Sequence, residues 1–284
     1  MKQLIKRVLL ALAAVSACSV CAEESPNAKH LDIGIVPYMS VRVLIEKYEP
    51  VRTFLEQALG TPIKIYTANG FKPFYVNTER GDFDLVITAA HFARLLQNEH
   101  HFTPLVRFST PGRALLMAGI NSPLKSVEEL RGRVIAVPDK LSLASIACMT
   151  YLRENKLIAE TDFKLIEVPS FPSAILSVQN GDAAAACTAQ APLSQMPKNI
   201  QDSVRPLADA GDFLNLVVLA SPRVKKSYLP KLSQTLLKLN DDPNGGQKFI
   251  SALGFGPLIP AVSKDMNDLE RYISETKRLL HETP

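Results

Sequence analysis

The chain has 284 residues, 46% of them hydrophobic and 21% charged, a balance that suits a soluble globular protein of one or two domains with a sizeable core. A net charge of +4 is mild and gathers in no basic stripe, so no nucleic-acid partner is indicated. Trp is absent and aromatics make up 7%, which argues against a sugar-stacking platform.

At the N-terminus, Lys2, Lys6 and Arg7 precede the apolar run 8–15, which has the length of a signal-peptide core and is too short to span a bilayer. Two exits fit. Val20-Cys21-Ala22 offers small residues for cleavage before Glu23, which makes 1–22 a removed export signal; Val15-Ser16-Ala17-Cys18 has the form of a lipobox that would lipidate Cys18. The first is favoured. Either way the expected location is the periplasm, with a lipid as the alternative tether. Loss of Cys18 and Cys21 would leave Cys148 and Cys187, and an oxidising compartment permits a disulfide between them. Two buried thiols packing as small hydrophobes is the other reading.

The elements follow in an α/β order. Residues 31–36 read as a short apolar strand, and 41–59 carry apolar residues at helical spacing until Gly60 stops them. Strand 62–66, helix 71–80, strand 83–88 and a short helix 91–97 continue the alternation, which implies right-handed βαβ units on a mainly parallel sheet. "RALLMAGI" at 113–120 is a long apolar strand. In "SVEELRG", Ser126 and Glu129 have the spacing of a capping box on a one-turn helix that Gly132 ends. Strand 134–137, helix 142–154, strand 163–168, helix 171–179 and strand 183–187 make a second set. "NLVVLA" at 215–220 is another long strand, and the rest is helical with loops at 241–246 and 254–260. Two α/β sets bracketed by two long strands suit a chain that crosses into a second lobe and returns. The expected division is 29–115 with 217–284 in lobe 1 and 116–216 in lobe 2, with a ligand cleft between.

"LDIGIVPYMS", "YEPVRTFLEQALG", "GDFDLVITAA" and "SVEELRGRVIAV" resemble the periplasmic substrate-binding proteins of ABC importers, in the phosphate/phosphite/phosphonate-binding branch of the two-lobed, two-crossover class. The resemblance covers about 31–220. It implies an α/β type II periplasmic-binding-protein fold, hinge closure on a small ligand and delivery to a membrane permease. It also implies that polar contacts come from loops at strand C-termini, where helix N-termini offer free N–H groups.

That resemblance selects the candidate ligand residues. Tyr38 stands where the family has a ligand-facing tyrosine. In "TAAHF", Thr88, His91 and Phe92 occupy a loop that faces the ligand in relatives. The hydroxyl-rich turn of phosphonate-binding relatives falls on "LSLAS", where Leu141, Ser142, Leu143 and Ser145 are the candidates. Ser142 keeps a hydroxyl, whereas Leu143 and Ala144 replace the next two. Phe171 stands where the family often has a His, and alanines or Thr188 stand where it often has an Asp. Apolar groups in a phosphonate site leave a desolvated anion short of hydrogen bonds. The expected ligand is therefore less polar than a phosphonate, with a phosphonate- or phosphate-type oxyanion as the alternative. Delivery to another envelope transport component in place of the permease, and a ligand sensor docked on a receptor kinase or cyclase, are the other roles the scaffold admits.

No metal, cofactor or enzyme activity is expected. The five His residues are scattered apart from the pair His100–His101, and no Walker loop, nucleophile elbow or Gly-rich dinucleotide fingerprint occurs.

Overall fold

The first strand, β1 (Leu31–Ile35), leads into α1 (Val41–Leu59), which buries Leu44, Tyr48, Val51, Leu55 and Leu59. Steps of three and four place these residues on one face. Gly60 ends the helix in the left-handed conformation, φ 65°, that a residue without Cβ adopts freely. This is a computed structural model, and it describes residues 30–282; the export segment 1–22, with Cys18 and Cys21, lies outside the described residues.

β2 (Ile63–Tyr66), α2 (Phe71–Glu79), β3 (Leu85–Thr88) and α3 (Ala90–His100) come next, followed by β4 (Thr103–Phe108) and β5 (Gly112–Gly119). The second set is β6 (Val134–Val137), α4 (Leu143–Glu154), β7 (Lys164–Glu167), α5 (Phe171–Gln179), β8 (Ala185–Ala189), the short helices α6 (Gln190–Ser194) and α7 (Lys198–Gln201), and β9 (Val204–Phe213). The chain closes with β10 (Val217–Ala220), α8 (Leu229–Lys238), α9 (Gly246–Leu253), β11 (Leu258–Pro260), α10 (Ser263–Asn267) and α11 (Glu270–His281). Among the described residues no helix is long and apolar enough to cross a membrane.

Two sheets form, one per lobe, in the orders β11-β4-β10-β3-β1-β2 and β7-β6-β8-β5-β9. The expected parallel pairing holds for β2-β1-β3 and for β7-β6-β8; the other strands of each sheet run antiparallel, so both sheets are mixed. β5 and β10, the strands by which the chain enters the second sheet and returns to the first, run against the parallel strands because no helical crossover fixes their direction, and the short β11 pairs antiparallel at the edge of the first sheet. The chain leaves the first sheet after β4 and enters the second at β5, then returns between β9 and β10.

In the second sheet, side-chain parity divides the core. Leu116, Ala118, Ile135, Val137, Ala185 and Cys187 face α4, while Met117, Ala136 and Ala186 face α5. Cys148 on α4 and Cys187 on β8 are joined as a disulfide, with Cα atoms 6.3 Å apart, which decides between the two cysteine readings. The turn before β6 differs from expectation. Val127–Leu130 is a 3-10 turn, Ser126 makes no side-chain cap, and the Glu129 carboxylate accepts the Lys125 N–H at 3.1 Å. The tighter winding carries the Glu one residue past the N-cap position a capping box requires.

Candidate ligand cleft between the lobes

The C-terminal ends of β1 and β3 in the first lobe, and of β6 and β8 in the second, converge on a cavity of about 220 Å³. This is the end of an open sheet at which helix N-termini and loop amides collect. The two crossovers complete the walls with residues 110–113 and Phe213, Asn215 and Leu216. Phe71, Phe171, Phe213 and Phe255 supply most of the bulk.

Four sequence-predicted residues line this cavity: Tyr38, Ser142, Leu143 and Phe171. The Tyr38 hydroxyl lies 3.1 Å from that of Tyr48, and its ring centroid is 5.8 Å from that of Phe255. Tyr38 therefore shows the cavity its ring, with its hydroxyl engaged behind. Burial pushes the phenols of both tyrosines up, so the pair stays protonated. The Ser142 hydroxyl caps α4: it accepts the Ser145 N–H at 3.1 Å and lies 2.7 Å from the Ser145 hydroxyl. Leu143 and Ala144 line the cavity, and their N–H groups, in the first turn of α4, have no intrahelical acceptor.

Thr88, His91, Phe92, Leu141, Ser145 and Thr188 are buried and do not line the cavity. The physical reasons are local. Thr88 and Thr188 lie within paired strands, opposite Val217 and Leu115; parity turns the following residues, Ala89 and Ala189, to the cavity instead. His91 Nε2 lies 2.9 Å from the Leu141 carbonyl oxygen, and its ring centroid lies 4.4 Å from that of Phe92, the planes tilted by 40°. Phe92 packs against Phe71 and Tyr75. Ser145 faces its cap partner. Burial pushes His91 down to about 3, so its ring is neutral and Nε2 donates to the carbonyl. Thr88 Oγ1 and His91 Nδ1 have no protein partner among the described residues.

The crossover residues were not anticipated. Gly112 is legible only with the fold in hand: a Cβ there would come within 2.2 Å of the Phe213 ring that lies over it. Asn215 ties the crossovers together, since its Oδ1 accepts the Leu216 N–H at 2.9 Å and its Nδ2 reaches the Thr110 carbonyl at 3.4 Å. Among the described residues Arg113 is the one cation lining the cavity; it is half-exposed, donating to Asp209 at 2.7 Å with Asp212 at 3.8 Å. Its charge is thereby largely balanced. Among the described residues no group of three His, Cys, Asp or Glu side chains gathers to hold a metal ion.

Solved structures share this architecture. A binding-protein component of an ABC phosphonate transporter from Pseudomonas aeruginosa superposes with a TM-score of 0.78 at 14% identity, covering 90% of each chain. A protein from Prochlorococcus marinus in complex with methylphosphonate gives 0.76 at 15% identity, over 90% of this chain and all of that one. The aliphatic sulphonate binding protein of Escherichia coli gives 0.65 at 16% identity, over 89% and 94%. At these identities the likeness establishes the fold. No curated protein sequence matches this chain closely enough to count. The family model of the periplasmic substrate-binding protein of ABC phosphonate transporters matches residues 33–266, and the chain belongs to that family.

Proposed function

We propose that this protein captures a small organic ligand, less polar than a bare phosphonate, by hinge closure of two lobes and hands it to its transporter. Family membership makes it a non-enzymatic periplasmic binding protein of an ABC transporter. In this reading the chain passes between the lobes at 109–111 and 214–216, which carry the hinge, so residues 112–115, expected in lobe 1, go with β5 in the second lobe. Support for the ligand class comes chiefly from one observation: the cavity is walled by Phe71, Phe171, Phe213, Phe255, Leu143 and Leu216, while the Tyr38 and Ser142 hydroxyls already have partners. A ligand with one compact polar head and an apolar body matches such walls.

A second reading has its own support and fits at least as well. The unpaired N–H groups of Leu143 and Ala144 at the start of the twelve-residue α4 suit an oxyanion, and the family's transporters carry phosphonates. Mass spectrometry of small molecules retained by gently purified protein tests both. A retained molecule with a substantial apolar part supports the first reading. Retention of inorganic phosphate or methylphosphonate alone overturns it in favour of the second. Removal of 1–22, or lipidation of Cys18, is likewise a proposal that N-terminal analysis of the mature protein separates.

A further inference from the structure

The segment after β6 reaches out of its own lobe. Asp139 Oδ2 accepts the N–H of Phe71, the first residue of α2 in the first lobe, at 3.2 Å, while Oδ1 accepts the Leu141 N–H at 2.8 Å. Helix α2 has no cap of its own, because the residue before it is Gly70. A carboxylate from the other lobe therefore takes the N-cap role. Two residues on, the Leu141 carbonyl receives the His91 Nε2 proton from α3, at a site closed to solvent. Leu141, Leu143 and Ile146 then pack into the hydrophobic core of the first lobe, whereas Ala144, Ala147 and Cys148 pack into that of the second. A single stretch, 139–146, thus joins the lobes by a carboxylate–amide bond, a buried imidazole–carbonyl bond and apolar contact. None of the three involves a ligand.

We propose that residues 139–146 are a built-in clasp that brings the lobes together without a ligand, and that Asp139 is the positioning residue that sets how often they part. This rests on the two-lobed reading and is independent of what the cavity holds. A hydrogen bond to a charged acceptor contributes enough that its loss shifts the closed-to-open ratio by about tenfold. The open form is the one a ligand enters, so the clasp lowers apparent affinity by the fraction of molecules it holds shut.

The test is small-angle scattering on protein freed of small molecules by unfolding and refolding with the disulfide intact. Ligand-free wild type is expected to scatter as the closed structure. Asp139→Ala and, separately, Leu143→Ser are expected to give a larger radius of gyration, and Asp139→Asn, which keeps one acceptor oxygen for two N–H groups and loses the charge, to fall between wild type and Asp139→Ala. Circular dichroism establishes that each variant is folded, and Leu143→Ser carries the test if Asp139→Ala is not. An expanded ligand-free wild type, or two folded variants as compact as wild type, overturns the clasp. Expansion of Leu143→Ser alone overturns the role given to Asp139. No ligand enters the experiment, so its failure leaves the proposed binding function standing, and failure of ligand binding leaves the clasp standing.

Discussion

His91 shows how burial converts one side chain into a pH-dependent contribution. Its ordinary value of 6.5 falls to about 3 in the folded protein because the charged ring would lose its water. Between those values the unfolded chain takes up a proton that the folded chain refuses. Its contribution to stability is therefore complete above pH 6.5 and is lost as pH falls toward 3, at up to about 1.4 kcal/mol per pH unit. Asp139 acts in the opposite sense: burial raises its carboxyl above the ordinary 3.8, so its contribution grows as pH falls through the raised value. His91 dominates, being fully buried where Asp139 is only half-buried. Melting temperature followed from pH 7 to 4 should fall more steeply for wild type than for His91→Gln; equal slopes would remove His91 from the account. Tyr38 and Phe171 separate ring from hydroxyl. Tyr38→Phe should keep ligand affinity while costing about 1 kcal/mol of stability, since Tyr48 loses its partner. Phe171→Ala should weaken binding of the retained molecule by roughly tenfold or more, the value of an aromatic wall about 1.5–3 kcal/mol strong, with circular dichroism unchanged. Full affinity in Phe171→Ala would exclude the ring from the site.

Among the elements, α4 and β8 are held together by the Cys148–Cys187 bond, which closes a loop of sequence separation 39. Constraint of the unfolded chain on that scale is worth about 3–4 kcal/mol. Reduction, or Cys148→Ser with Cys187→Ser, should lower the denaturation midpoint accordingly and raise hydrogen exchange first in α4 and β8. A midpoint insensitive to reductant would show the bond to be absent in solution. Elements with strong periodicity were legible before folding: α1 and its Gly60 stop, β6 and α5 appear with the bounds expected of them. The strands β4, β9 and β11 were not. β9 is a largely solvent-facing edge strand containing Pro206 and Gly211, paired to β5 with two register shifts, so its sequence carries no clean alternation. β4 carries Pro104 near its start, and β11 has only three residues. A strand whose pairing comes from a distant partner leaves little trace in its own residues.

At the scale of the whole molecule, the chain joins the two sheets at 109–111 and 214–216, and the Asn215 side chain hydrogen-bonds from one of these segments to the other. Asn215→Ala should cost about 1 kcal/mol and speed hydrogen exchange in 109–111 and 214–216 while sparing both sheets; unchanged exchange there would show that the crossovers are held by their backbones alone. The amino-acid sequence by itself determined the α/β order, the helices with periodic apolar faces, the long strand β5 and the family resemblance, because each is written in local spacing; the second long strand expected at 215–220 is the four-residue β10. The sequence also placed Tyr38, Ser142, Leu143 and Phe171 at the cavity. Only the tertiary structure decided that Thr88 and Thr188 turn inward while Ala89 and Ala189 face the cavity, and that His91 and Asp139 serve the contact between lobes. The reason is physical: facing depends on strand parity and pairing register, and contact across a cleft depends on residues brought together from 50 or 68 positions apart in the chain, which no local pattern records.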